Sequence, residues 1–204
     1  MITIVDYGLG NIRAFINTYK QLGIPVNVAR NAQELKPASK IILPGVGAFD
    51  LAMTLFQNSG MREIADELVL EKKVPALGIC VGMQIMAGDS DEGELPGLNW
   101  IPGHVRKFDQ TRLGPSLPLP HMGWNEVSAL NNADLFNGLG ETPLFYFLHS
   151  FYYECKDNSH VLAQSQYGQT FSCAVRRDNI HGVQFHPEKS HSAGTRLLKN
   201  FAEL

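Results

Sequence analysis

The segment Gly78-Ile79-Cys80-Val81-Gly82-Met83-Gln84 sets a cysteine between two glycines where an apolar run gives way to a helical pattern. Gly-x-nucleophile-x-Gly at a strand-to-helix junction is the pattern of a nucleophile elbow, here with cysteine in place of serine. Such a turn is tight, and flanking glycines relieve crowding around the nucleophile. The first N–H groups of the following helix lack partners within it and carry partial positive charge, which favours a thiolate over a thiol. The N–H of Val81 would also point at an oxyanion formed on an attacked carbonyl. The competing reading is a buried structural cysteine between packing glycines.

A nucleophilic cysteine needs a base, and the base needs an orienting acceptor. Gly182-Val183-Gln184-Phe185-His186-Pro187-Glu188 offers both. Residues i and i+2 of an extended chain project to one face, and Pro187 biases His186 towards that geometry. The Glu188 carboxylate could then take the Nδ1–H of His186 and leave Nε2 for Cys80. The chain order Cys, His, Glu suits a thiol hydrolase or acyl transferase. A third segment, Leu43-Pro44-Gly45-Val46-Gly47-Ala48, reads as a glycine-freed loop after a strand, able to turn a second oxyanion donor into a site. The competing readings are a plain tight turn or a phosphate-cradling loop, the latter weak because no Gly-Lys-Ser/Thr follows, and Arg13 spoils Gly8-Leu9-Gly10 as a dinucleotide fingerprint.

Two kinds of element must position these residues. The first half alternates strand and helix patterns: strands at 2–5, 25–29, 40–43 and 74–79, a helix capped by Asn11, two helical stretches between Leu51 and Leu68, and a helix at 81–87. That rhythm predicts a mainly parallel sheet covered by helices. The second half reads as short consecutive strands at 105–108, 124–127, 144–148, 151–155, 161–166, 171–175 and 180–185. Turns are expected at Tyr167-Gly168-Gln169 and Arg177-Asp178-Asn179, and a final helix from about Ala193. The stretch from Gly114 to Pro120 is expected to be an exposed loop. One α/β domain over residues 1–204, with an antiparallel extension, is the simplest organisation. His104, His160 and His181 read as loop or surface residues. His121 and His149 sit in less ordinary contexts.

Composition narrows the class. The 204 residues are 44% hydrophobic and 18% charged, with 17 basic against 20 acidic residues and a net charge of −3. That balance predicts an ordinary globular core and argues against a nucleic-acid binder. Met1-Ile2-Thr3-Ile4-Val5 runs into Asp6 with no basic n-region, and no apolar run approaches the ~20 residues of a membrane helix. The three cysteines, Cys80, Cys155 and Cys173, are widely spaced without a CxxC. Reduced thiols in the cytoplasm are expected, with no cofactor and no metal site.

These segments together resemble the class I, triad-type glutamine amidotransferase family. Asp6-Tyr7-Gly8-Leu9-Gly10-Asn11, Pro120-His121-Met122-Gly123-Trp124-Asn125, Tyr146-Phe147-Leu148-His149-Ser150 and Gln184 to Ser190 narrow the likeness to glutaminase subunits of histidine biosynthesis. The resemblance implies that Cys80 attacks the side-chain amide of glutamine, with His186 and Glu188 completing the triad. Val81 and a backbone N–H of Gly45, Val46 or Gly47 would form the oxyanion hole, and Gln84, His149 and Ser150 would line the glutamine site. It also implies a separate (β/α)8-barrel cyclase subunit in a heterodimer, with His121, Trp124 and Lys189 facing it. A paralogue feeding ammonia to a partner in surface-polysaccharide amino-sugar synthesis is the alternative.

Overall fold

Ile2, Thr3, Ile4 and Val5 are all buried, as a short β-branched run must be in a parallel strand covered on both faces. The computed structural model describes residues 1–114, 116–130 and 133–204. Its first half runs β1 (Ile2–Val5), α1 (Ile12–Gln21), β2 (Val26–Ala29), α2 (Ala32–Leu35), β3 (Lys40–Gly45), α3 (Phe49–Asn58), α4 (Arg62–Asp66), β4 (Ala76–Cys80) and α5 (Val81–Gln84). The Asn11 side chain caps α1 by accepting from the Ala14 N–H, and α1 buries Phe15 and Tyr19. After α4 the chain widens into a π turn, Glu67–Glu71, that the apolar spacing did not foretell. The short helix α2 was also not foreseen.

The second half supplies β5 (Asp89–Ser90), β6 (Gly103–Lys107), α6 (Gln110–Leu113), β7 (His121–Glu126), β8 (Ser128–Ala129), β9 (Leu144–His149), β10 (Phe151–Cys155), β11 (Val161–Tyr167), β12 (Gln169–Arg177), β13 (Ile180–Val183) and α7 (His191–Glu203). The main sheet has the order β2-β1-β3-β4-β13-β12-β10-β6-β5, with β11 and β8 branching from β12. From β2 to β13 every pairing is parallel; from β13 to β12, β10 and β6 it is antiparallel. The mainly parallel sheet and its antiparallel extension are therefore both present. β7 and β9 form a separate antiparallel ribbon. Pro115, within the loop expected at 114–120, lies outside the described residues.

Several boundaries differ for physical reasons. β3 continues through Pro44 and Gly45, which pair with Ile79 and Cys80. β13 stops at Val183, two residues before the expected end. Helix α5 ends at Gln84 because the carbonyls of Ile85, Met86 and Ala87 are taken by the N–H groups of Leu98, Ile101 and Asn99. His181 is not a surface residue: it lies on β13, 6% exposed, because that strand is covered on both faces.

The elbow is held by backbones in direct contact. A Cβ on Gly82 would stand 1.9 Å from the Leu43 carbonyl oxygen, and one on Gly78 2.6 Å from the Gly82 carbonyl oxygen. A Cβ on Gly45 would stand 2.7 Å from the Gly82 nitrogen. No side chain can swing away to make room, so β3, β4 and α5 close on each other only if all three positions are glycine. Gly82→Ala should therefore cost about 1–3 kcal/mol or more through forced overpacking. The expected readout is a thermal midpoint lowered by roughly 3–10 °C in a protein of this size; an unchanged midpoint would mean that the three backbones are not so tightly apposed.

Candidate active site

Cys80 is the last residue of β4 and the cap of α5, with φ 55° and ψ −115°. This left-handed φ is uncommon for a residue with a side chain and costs roughly 1–3 kcal/mol, which the glycine contacts around it must offset. It turns the side chain out of the strand and into a cavity of about 250 Å³. Val46, Gly47, Val81, Gln84, His149, Ser150 and His186 line the same cavity. Seven residues expected at a glutamine site thus meet at one place around Cys80.

His186 follows β13 and Glu188 follows Pro187. The His186 Nδ1 and Glu188 Oε1 are 2.9 Å apart, and both side chains are 2% exposed. The imidazole also lines the same cavity as the Cys80 sulfur. Burial alone would drive the His186 pKa down, but Cys80 and the hydrogen-bonded Glu188 carboxylate outweigh it and hold the imidazole well above its ordinary range. The favoured state is an imidazolium between a sulfur and a carboxylate, able to supply a proton to a leaving group. Helix α5 is one turn long, so its help to the sulfur comes from local N–H groups rather than a summed helix dipole.

Not every expected residue takes its expected place. Gly45 is packed under the elbow within β3, so it is a spacing residue and not part of a loop free to reorient. Gly47, with φ 103°, carries the freedom, and Val46 beside it is 41% exposed. Trp124 is 46% exposed and stacks on His191 at 5.0 Å. Lys189 is exposed with its ammonium 5.6 Å from the Tyr146 ring centre. His121 was expected on the same face, but it is 3% exposed and points the other way. The reason is strand alternation: β7 begins at His121, so 121, 123 and 125 face inwards while Met122 and Trp124 face out.

What His121 does instead is fix a directional chain. His149 Nδ1 lies 2.7 Å from the Phe151 carbonyl, which can only accept, so that nitrogen carries the proton. His149 Nε2 must then accept from His121 Nδ1, 2.9 Å away, and His121 Nε2 accepts from the Asn125 amide at 3.2 Å. Both rings are neutral donor–acceptors. Burial depresses His121 to about 4 and His149 to about 3.

Two residues escaped the sequence reading. Glu92 lines the cavity and accepts the Phe49 N–H at the start of α3, 2.9 Å away. Gln184, with no exposed surface, donates to the Cys80 sulfur at 3.7 Å. A glutamine inside the apolar run Val183-Gln184-Phe185 was a visible signal, since a buried amide must find partners.

A cysteine and an imidazole in one cavity wall, with a carboxylate hydrogen-bonded to the imidazole, can perform acyl transfer from an amide. The class-I glutamine amidotransferase family profile matches residues 3–204. An imidazole glycerol phosphate synthase subunit HisH from Bdellovibrio bacteriovorus is 59% identical over the full length of both chains. The subunits of that name from Leptospira interrogans and Pseudomonas aeruginosa are 50% and 42% identical, again over both full lengths. Among solved structures, a glutamine amidotransferase has the same fold, with a TM-score of 0.76 at 20% identity, covering 99% of this chain and 97% of its own. A glutamine amidotransferase from Thermotoga maritima gives 0.63 at 14% identity, covering 99% and 82%. The chain belongs to the class-I glutamine amidotransferase family. Within it, the chain belongs with the imidazole glycerol phosphate synthase subunits HisH.

The buried histidines give this protein a defined response to acid. His121, His149 and His181 are all depressed by burial, His181 to about 4. Between pH about 6.5 and 4 the unfolded chain binds protons that the folded chain refuses, so stability falls as pH falls through that window, by up to about 1.4 kcal/mol per unit per group. His186 does not cancel this: its raised value means its contribution is complete below the unfolded value and is lost only as pH rises. Urea unfolding from pH 7 to 5 should show this loss, and His181→Asn should show a shallower slope. A wild-type curve flat over that range would show that these rings are not held neutral.

Proposed function

We propose that Cys80, His186 and Glu188 are the nucleophile, proton carrier and orienting carboxylate for hydrolysis of glutamine, within one glutamine amidotransferase domain spanning residues 1–204. The observation that carries this is the imidazole of His186, 2.9 Å from the Glu188 carboxylate and in the wall of the same cavity as the Cys80 sulfur. The sulfur attacks the amide carbon, and the N–H of Val81, with one from Val46 or Gly47, receives the oxyanion. His186 gives its proton to the leaving nitrogen, the C–N bond breaks, and ammonia departs from a γ-glutamyl thioester. Water, deprotonated by His186, then displaces the sulfur and releases glutamate. Gln84, Glu92, His149 and Ser150 hold the substrate. No cofactor takes part.

Ammonia released into neutral water is mostly protonated and no longer nucleophilic, so it must pass directly to a second site. We place that site on a (β/α)8-barrel cyclase subunit forming a heterodimer with this chain. That partner uses ammonia to make imidazole glycerol phosphate and aminoimidazole carboxamide ribonucleotide from an N′-ribulosyl formimino-carboxamide ribonucleotide. The names of the full-length relatives support a subunit working with others. The outer face of the β7–β9 ribbon supports the docking surface: Met122, Trp124, Leu144 and Leu148 are 65%, 46%, 50% and 37% exposed on it. Leu148 also lines the Cys80 cavity, so a partner on this face closes the mouth of the site. Lys189, with its ammonium 5.6 Å from the Tyr146 ring centre, lies beside that face. Among the described residues no helix is long and apolar enough to cross a membrane. The three cysteines are unpaired, which suits the cytoplasm.

Cys80→Ala should abolish glutamine-dependent synthesis by the complex and spare synthesis driven by high ammonium. Loss of both would make Cys80 a structural or coupling residue. Glu188→Gln should lower glutaminase turnover by about 10²–10⁴ while the fold persists, and wild-type turnover in that variant would remove Glu188 from the triad.

A further inference from the structure

Four polar groups beneath the cavity form a chain whose hydrogen-bond directions are forced. The Phe151 carbonyl can only accept. The Gln84 amide atom 3.3 Å from it must therefore be nitrogen. That same nitrogen lies 3.0 Å from the Gln184 side chain, whose facing atom must then be the oxygen. The other end of the Gln184 amide, now necessarily the NH2, lies 3.7 Å from the Cys80 sulfur. The orientation of an amide is ordinarily ambiguous; here a main-chain carbonyl two links away decides it. Both hydrogens of the Gln84 amide are consumed inside the protein, so only its oxygen is left for the cavity.

We infer that Gln184 is a fixed hydrogen-bond donor to the Cys80 sulfur that stabilises the thiolate, and that Gln84 and the Phe151 carbonyl hold it in that orientation. An N–H aimed at sulfur favours the charged form over the thiol, because only the thiolate is a strong acceptor. Gln184 has no exposed surface, so water cannot substitute for its donor or screen it. It also approaches the sulfur from within the sheet, from the residue next to the end of β13, while His186 completes the set two residues on. One strand end therefore supplies both a proton-carrying donor and a non-titrating one.

The charged and titratable groups around the sulfur are few. His186 lines the same cavity, with Glu188 behind the imidazole. Tyr7 is buried near it, with its hydroxyl pushed up by burial and by the charge of Cys80. Glu92 and His149 line the cavity. Of these, only His186 gives the thiolate a charged donor. Gln184 supplies a donor that persists when His186 has surrendered its proton to the leaving nitrogen, and so keeps the sulfur a good leaving group when the thioester is hydrolysed.

The inference rests on Cys80 being the nucleophile, and one experiment separates the two. The pH dependence of iodoacetamide alkylation of the full-length protein reads the thiolate fraction. Cys155 and Cys173 are buried thiols pushed up, Cys155 to about 12, so Cys80 dominates the reaction near neutrality. In wild type, alkylation must remove glutaminase activity of the complex; if it does not, the nucleophile reading itself fails. Gln184→Met keeps the side-chain length without a donor and should move the alkylation midpoint up by about one pH unit, the size expected for loss of one charge-assisted hydrogen bond. A folded Gln184→Met protein with the wild-type midpoint overturns the inference while leaving Cys80 as nucleophile. A second measurement needs no change at this buried position. In wild type the side-chain amide ¹⁵N resonance of Gln184 should titrate with the alkylation midpoint and lose that step in Cys80→Ser; a resonance that ignores the sulfur's titration overturns the inference as well.

Discussion

Everything at the site depends on three strips of main chain touching without side chains between them. Gly45 on β3, Gly78 on β4 and Gly82 on α5 meet so closely that a methyl group on any of them would stand under 3 Å from a neighbouring backbone atom. Because the strips cannot separate, Cys80 between them is held at a positive φ that an L-residue would otherwise leave. The consequence is directional: the sulfur leaves the sheet and enters the cavity, where Val81 at the start of the following helix is part of the lining. The parallel order β3-β4-β13 then brings the end of β13 alongside, and with it His186 and Glu188.

The same residue type is driven to opposite states within this one molecule. His186, His149 and His121 are all buried and all in or beside the site. His186 bonds a carboxylate, shares a cavity with a sulfur and is held charged. His149 and His121 meet only a carbonyl, an amide and each other, and are held neutral. Burial acts on each in the same direction, so the partners alone decide the outcome. A charged imidazole is thus accompanied by neighbours that do not compete for its proton.

The elbow and the His-Pro-Glu segment were legible because each compresses its geometry into a few residues: two glycines about a cysteine, and a proline that sets the spacing of its neighbours. The parallel half was legible for the same reason, since strands buried on both faces appear as continuous apolar runs. What escaped depended on distant partners. Helix α5 is cut short by N–H groups more than ten residues further on. His121 was misplaced because its strand was expected to start at Trp124; once the strand includes 121, those two side chains, three apart, must face opposite ways. Gly45 looked like a free loop residue because nothing near it in sequence reveals Gly82 pressed against it.

The β7–β9 ribbon is only one strand layer thick, yet its two faces have different owners. Inward it carries His121 and His149, joined through the Phe151 carbonyl to the floor of the cavity; outward it carries Met122, Trp124 and Leu148. Successive residues of a strand cannot tilt independently. The ribbon is thus a see-saw: pressure applied to its exposed plank is felt at once on the underside, where His149 lines the cavity of the Cys80 sulfur.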